Sequence, residues 1–287
     1  MEEIMKYCYL NDRVMPLNKA AISPLDLGFV RGYALLEVLR TYGDALFMFN
    51  KHYQRFIQGA KLLRLQPIPQ NKQLESCIYQ VIKANKATDC KIRILLSGGP
   101  SKIDFQLSGH PTLYIDCEPL PYYPPSFYTK GIKLITLVYK RGLATIKTTN
   151  YIEAIRNQPL LTQRQAQELL YVSDNKVYEC SSSNILIFKQ NDLIIPKNDI
   201  LEGITMQIVL NLAKKYFSIK RQDIFLSDLK KANECFITST TKEIMPVVKI
   251  DSLVINKGKV GPNTQRLMLA FHNLVAQYST KSIKKRR

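Results

Sequence analysis

Residues 119–131, PLPYYPPSFYTKG, repeat apolar side chains at neither helical nor strand period. Pro119, Pro121, Pro124 and Pro125 remove backbone donors and fix φ, so no regular element runs through the whole stretch. It reads as an interdomain linker. The chain therefore divides into a small N-terminal α/β domain, residues 1–118, and a larger C-terminal domain, residues 132–287. Its 287 residues supply core for two modest domains.

Short elements alternate on both sides of the linker. In the first part, residues 7–15 read as a hairpin around Asn11-Asp12, and 34–42 and 45–49 as strands joined at Gly43-Asp44. Asn50 is placed to cap a helix running to about Leu63, with Phe56, Ala60 and Leu63 on one face. Asn71 is placed to cap the next, with Leu74, Ile78, Val81 and Ile82 inward. Residues 91–97 and 112–116 are further strands. In the second part, a strand over 132–139 precedes a helix after Asn150. Hairpins turn at Asp174-Asn175 and at 190–192, a helix covers 203 to about 217, and a strand covers 235–240. A hairpin around Asp251 and a last helix opened by Pro262 complete the chain. The fold class is α+β, with mixed sheets, flanking helices and a cleft expected between the domains.

Composition excludes several classes of function. Hydrophobic residues make up 46% and charged residues 22%, ordinary values for a globular protein, and no apolar run is long enough to span a bilayer. Acids at Glu2 and Glu3 stand where a signal peptide carries bases, so the expected address is cytoplasmic. The six cysteines form no C-x-x-C pair and three histidines accompany them, which argues against a metal site and for scattered buried thiols. Apart from the tail over 281–287, the charges behind the net +18 are spread along the chain. That spread speaks against nucleic acid and fits an enzyme whose positive field draws anions.

Candidate anion ligands recur. Gly203-Ile204-Thr205 opens a helix, where free N–H groups and the dipole face outward, and Ser239-Thr240-Thr241 ends a strand with three hydroxyls. Arg55 lies one helical turn past His52. Taken one at a time, these are equally plain caps and a solvated arginine. Lys147, between a strand and a helix, has the position of a nucleophilic lysine, which needs an enclosed place. Surface lysine is the bland alternative. Glu179, on an apolar strand over 176–180, wants a partner, and a cross-strand base would serve.

In order, these pieces resemble the class IV aminotransferases, the fold type IV enzymes of pyridoxal 5′-phosphate. The matching motifs are Asp26-Leu27-Gly28-Phe29-Val30-Arg31-Gly32 with Glu37, His52 with Arg55, Lys147-Thr148-Thr149-Asn150-Tyr151, Glu179-Cys180-Ser181-Ser182-Ser183-Asn184, Leu201-Glu202-Gly203-Ile204-Thr205, and Ser239-Thr240-Thr241 with Pro246-Val247. The resemblance implies two domains with the cofactor between them, and a homodimer whose partner helps close the cleft. It implies that Lys147 bonds the cofactor and shuttles the proton, and that Glu179 pairs with the pyridine nitrogen. It further implies a phosphate cup of Arg55, Gly203, Ile204, Thr205, Ser239 and Thr240, with Leu201 against the ring and Tyr151 at the ring hydroxyl. The substrates would be a small amino acid and a 2-oxo acid.

Three reactions fit the resemblance: transamination of D-amino acids, transamination of branched-chain L-amino acids, and the aminodeoxychorismate lyase reaction. A dead scaffold acting as a basic interaction protein is the non-enzyme alternative. Arg31 stands where branched-chain enzymes tend to carry an aromatic, and arginine holds carboxylates in a bidentate fork. Arg31 with Arg93 resembles a less usual subgroup of D-amino acid transaminases. Leu36 and Ser97-Gly98-Gly99 depart from the better-known D-enzymes, and Arg40 is shared with branched-chain-like members. Leu36, Arg40 and Thr241 join Arg31 and Arg93 as expected substrate contacts. An ion pair of Arg31 with Asp26 or Glu37 is the structural alternative.

Overall fold

The computed structural model describes residues 6–103 and 105–284. The N-terminal residues 1–5 and the last basic residues, 285–287, lie outside that set. The chain divides into two compact units. One comprises Met1–Pro121, Ile146–Asn150 and Tyr278–Arg287, the other Tyr122–Thr145 and Tyr151–Gln277.

The first unit contains β1 (Tyr7–Leu10), β2 (Arg13–Pro16), α1 (Leu27–Arg31), β3 (Ala34–Tyr42), β4 (Ala45–Leu46), α2 (Phe49–Leu62), α3 (Asn71–Asn85), β5 (Cys90–Ser97) and β6 (Leu113–Pro119). Its sheet runs β2-β1-β6-β5-β3-β4, all antiparallel. Leu35 pairs with Leu96 and Ile92 with Cys117, so alternate residues share one face. That face packs against Phe56 and Ala60 of α2 and Leu74, Ile78 and Val81 of α3 in one core. The strand expected over 45–49 stops at Leu46, because Met48 takes a left-handed φ of 53°, outside any strand, and starts α2.

The two expected caps are corrected by the structure. Asn50 and Asn71 lie inside the first turns of α2 and α3, and Met48 and Gln70 hold the cap positions. The Asn71 side-chain amide donates to Asn50 Oδ1 at 3.2 Å, so the two side chains tie the helix starts to each other.

In the second unit, α4 (Pro125–Thr129) forms a short helix inside the proline-rich stretch, with proline at its first turn where no donor is needed. There follow β7 (Ile132–Val138), α5 (Ile152–Arg156), α6 (Gln158–Arg164), β8 (Glu168–Ser173), β9 (Lys176–Cys180), β10 (Asn184–Lys189), β11 (Asp192–Ile195), α7 (Ile204–Ala213), β12 (Ser218–Arg221), β13 (Ile224–Phe225), α8 (Leu226–Lys230), β14 (Glu234–Ser239), β15 (Glu243–Ile250), β16 (Leu253–Val254) and α9 (Pro262–Lys284). The sheet order is β12-β11-β10-β14-β15-β7-β8-β9-β13, with β16 on β15. The parallel pair β7–β8 needs a crossover, which α5 and α6 provide. The fold is thus α+β with mixed sheets. Helix α7 ends at Ala213, short of the expected 217, because Tyr216 and Phe217 both donate back to the Ala213 carbonyl as turns. All six cysteines are buried and free. Among the described residues no helix is long and apolar enough to cross a membrane, and no side-chain group has the makings of a metal site.

Candidate active site

Lys147 is fixed through its backbone. The Leu36 N–H donates to the Lys147 carbonyl at 2.8 Å and the Thr149 N–H to the Ala34 carbonyl at 3.2 Å, while Leu35 and Thr148 form a bridge. The stretch therefore lies along β3 as a short added strand. Ile146 is buried in the first unit's core. Gly59 makes room for it, since a Cβ there would lie 2.8 Å from the Ile146 side chain and 2.5 Å from Leu35. Lys147 itself is half-buried.

On the helix side of β3, Glu37 is buried and accepts from His52 Nδ1 at 2.9 Å, Arg55 Nη2 at 2.6 Å, Arg55 Nε at 3.0 Å and the Val38 N–H at 3.0 Å. Burial alone would raise the Glu37 carboxyl. Arg55 and His52 outweigh it and hold the group well below the usual carboxylate range. Burial pushes His52 down, and the Arg55 and Lys147 charges add to that effect against the pull of Glu37. The outcome is a neutral imidazole beside an ionised, doubly held carboxylate that fixes the Arg55 guanidinium.

Leu36, Arg40 and Arg93 share the opposite face, since Leu36 pairs with Leu95, Val38 with Arg93 and Arg40 with Lys91. Arg93 is held by Asp116 and, at 2.7 Å, by Glu118. Arg31 ends α1 in an exposed position, donates to the Val30 carbonyl at 3.0 Å and stands over the Phe105 ring at 5.6 Å. Asp26 accepts instead from Gly28 N–H at 2.7 Å, Ser97 Oγ at 2.8 Å and Thr112 Oγ1 at 2.6 Å.

The second unit gathers Glu179, Leu201, Gly203, Ile204, Thr205, Ser239 and Thr240. Glu179 is buried on β9. Its partner is no cross-strand base. Arg141, in the loop after β7, places Nε 2.7 Å from Glu179 Oε1, and the Leu201 N–H donates to Oε2 at 2.9 Å. The Asn184 side-chain amide donates to the Leu201 carbonyl at 2.7 Å. Asn184 pairs in the sheet with Thr238, next to Ser239, and its side chain lies against Gly203. Carboxylate, helix start and hydroxyl turn are thereby joined through Asn184. Tyr151 precedes α5 and is half-buried, and Thr241 Oγ1 lies 3.2 Å from the Tyr123 hydroxyl.

These residues fit pyridoxal phosphate by their donor chemistry. No side chain caps α7 at Gly203, which leaves its first N–H groups for an anion, and Ser239 and Thr240 add hydroxyls. A Cβ on Gly203 would stand 2.0 Å from Asn184 Oδ1, so only a bare backbone fits there. Glu179, backed by Arg141, suits a cationic ring nitrogen.

The sequence matches the family Amino-transferase class IV over residues 34–250. The chain belongs to the class IV aminotransferases and is an aminotransferase of the pyridoxal phosphate-dependent kind. A D-alanine aminotransferase of Listeria monocytogenes is 31% identical over 280 residues, 93% of this chain and 96% of the relative. A Methanocaldococcus jannaschii protein with a provisional branched-chain-amino-acid aminotransferase name is 28% identical over 284 residues, 95% and 98% of the two chains. A T.th. branched-chain amino acid aminotransferase with pyridoxamine 5′-phosphate superposes with a TM-score of 0.88 at 25% identity, covering 94% of each chain.

Sequence reasoning missed Arg141. One arginine among 41 lysines and arginines carries no signal by itself. Its position in the loop leading to Lys147 was the available clue.

Proposed function

We propose that the chain is a transaminase that moves an amino group from a small D-amino acid, such as D-alanine or D-glutamate, to a 2-oxo acid by a ping-pong mechanism. Arg31 carries the substrate reading. It is exposed at the end of α1, and its planar guanidinium suits a bidentate hold on the substrate carboxylate. The D-alanine aminotransferase relative supports the same choice.

Bound pyridoxal phosphate supplies an electron sink for the pair left when the substrate Cα–H bond breaks. Glu179 holds the proton at the ring nitrogen, with Arg141 and the Leu201 N–H fixing its carboxylate. Lys147 Nζ takes the Cα proton and returns it during the amino transfer. Arg55, the N–H groups of Ile204 and Thr205, and the hydroxyls of Ser239 and Thr240 would bind the phosphate, Leu201 would pack against the ring, and Tyr151 would reach the ring hydroxyl.

A branched-chain L-donor is the second reading. Apolar Leu36 on the face of Arg93 and the names of several relatives favour it. We also propose a homodimer, because Ile22, Leu25, Phe29, Ile103 and Phe105 expose apolar surface around α1 that a second copy would cover. Six free thiols suit the reducing cytoplasm.

The test is the visible spectrum of the purified protein with pyridoxal phosphate, before and after D-alanine, D-glutamate or L-leucine in separate cuvettes. Loss of the yellow band with the D-amino acids and not with L-leucine is expected, and the reverse moves the protein to the branched-chain group. Lys147→Ala should abolish turnover; full activity in that variant sinks the mechanism.

A further inference from the structure

A largely buried acid–base pair lies beside the cofactor residues without belonging to them. Glu168 opens β8 and is 2% exposed. Its carboxylate collects donors from the whole turn that follows β9. Ser182 N–H at 2.6 Å, Ser182 Oγ at 2.9 Å and Ser181 Oγ at 3.3 Å reach Oε1, and Ser183 Oγ at 2.9 Å reaches Oε2. Lys242 Nζ lies 3.2 Å from Oε2 and donates to Ser182 Oγ at 2.8 Å and Ser183 Oγ at 3.4 Å. Burial pushes the Lys242 ammonium down, but Glu168 and then Tyr123 outweigh it, and the group stands above its ordinary value.

The pair connects two turns that the cofactor reading uses. The first, 181–183, continues directly from Glu179 and leads into Asn184, which holds the Leu201 carbonyl. The second, Ser239-Thr240-Thr241, runs into Lys242, whose N–H donates to Ser239 Oγ at 3.2 Å. A buried ion pair costs several kcal/mol of desolvation, and apolar residues of the same volume often serve the fold as well or better. Stability alone therefore gives a poor account of this pair.

We infer that Glu168 and Lys242 are positioning residues that lock the 181–183 turn to the Ser239-Thr240-Thr241 turn, so that the phosphate hydroxyls keep a fixed relation to Glu179. The inference rests on the cofactor reading above. Neither residue is assigned a contact with substrate or cofactor.

The test compares the wild type with the double variant Glu168→Gln/Lys242→Met. It removes both charges at similar volume, where Glu168→Gln alone strands a buried ammonium. Three quantities are read: the dissociation constant for pyridoxal phosphate by absorbance titration, the phosphorus-31 resonance of the bound phosphate, and the thermal unfolding midpoint of the cofactor-free protein. The expected result is a dissociation constant raised at least about tenfold, equivalent to about 1.4 kcal/mol, a shifted or broadened phosphorus resonance, and an unfolding midpoint close to the wild type. Lys242→Arg should restore most of the affinity. A wild-type dissociation constant and resonance in the double variant overturn the inference and leave the cofactor reading intact. Affinity lost only in step with a collapsed midpoint assigns the pair to folding and also overturns it. A wild type that binds no pyridoxal phosphate overturns the cofactor reading and this inference with it.

Discussion

Arg141 Nε stands 2.7 Å from Glu179 Oε1, with both side chains mostly shielded from solvent. The contact gives the carboxylate a fixed orientation at the place where a cationic ring nitrogen is expected. Arg141→Met should leave the lysine untouched yet lower kcat/KM at least tenfold, about 1.4 kcal/mol of transition-state stabilisation. Steady-state kinetics with the best amino donor checks this. Kinetics indistinguishable from the wild type would make Arg141 a structural partner.

Arg31 offers a separation of binding from cofactor affinity. If its guanidinium holds the substrate carboxylate, Arg31→Leu raises the KM for amino acids by about tenfold or more, in line with loss of a charge-assisted hydrogen bond of about 1.5–3 kcal/mol. The affinity for pyridoxal phosphate should stay near the wild type. An unchanged KM assigns Arg31 to its contact with Phe105.

Gly203→Ala tests the close approach at the start of α7. The backbone there has φ −63°, which alanine tolerates, so the effect is crowding against Asn184 Oδ1. Asn184 would be driven from the Leu201 carbonyl. We expect a loss of about 1–3 kcal/mol in stability, the usual cost of forcing extra volume into a packed place, together with weaker binding of pyridoxal phosphate. Equal affinity in the two proteins contradicts the assembled cup.

Acid should weaken the first unit through Glu37 and His52. The ordinary values are 4.5 for the glutamate and 6.5 for the histidine, and both groups stand lower in the folded protein. The unfolded chain therefore binds more protons in acid, and stability rises with pH across these windows. Destabilisation from His52 begins as the pH falls below its ordinary 6.5, and the stabilisation from Glu37, present above 4.5, is lost further down. The apparent Tm of the wild type should fall steadily between about pH 7 and pH 4. Glu37→Gln should start about 3–5 kcal/mol less stable, as expected for breaking a buried pair, and show a flatter profile below the ordinary glutamate value of 4.5. Equal slopes for the two proteins would rule out Glu37 as a source.

What the sequence made legible was local. Glu179 stood out because a carboxylate in an apolar strand needs a partner, and β9 spans the residues read from the pattern. The start of α7 followed from glycine before an apolar stripe. Relations between distant segments were not legible. Asn50 and Asn71 looked like caps because asparagine favours that place, whereas the structure bonds them to each other across 21 positions. Arg141 and Lys242 vanished among many like charges, and nothing in the pattern around Glu168 singles it out. Each acquires meaning from a partner that the chain brings close only by folding.

The backbone around Lys147 is stitched to β3 at Leu36 and Ala34, and Ile146 is sunk in the core. The lysine is thus a tethered lever whose pivot does not travel. When its amine has to leave one bonding partner and later return, four methylene torsions suffice and no loop has to refold. Rotation of such a side chain takes picoseconds to nanoseconds, against nanoseconds to microseconds for a loop. On the proposed reading, the backbone pairing leaves the repeated motion of the lysine to its side chain, the faster of the two elements.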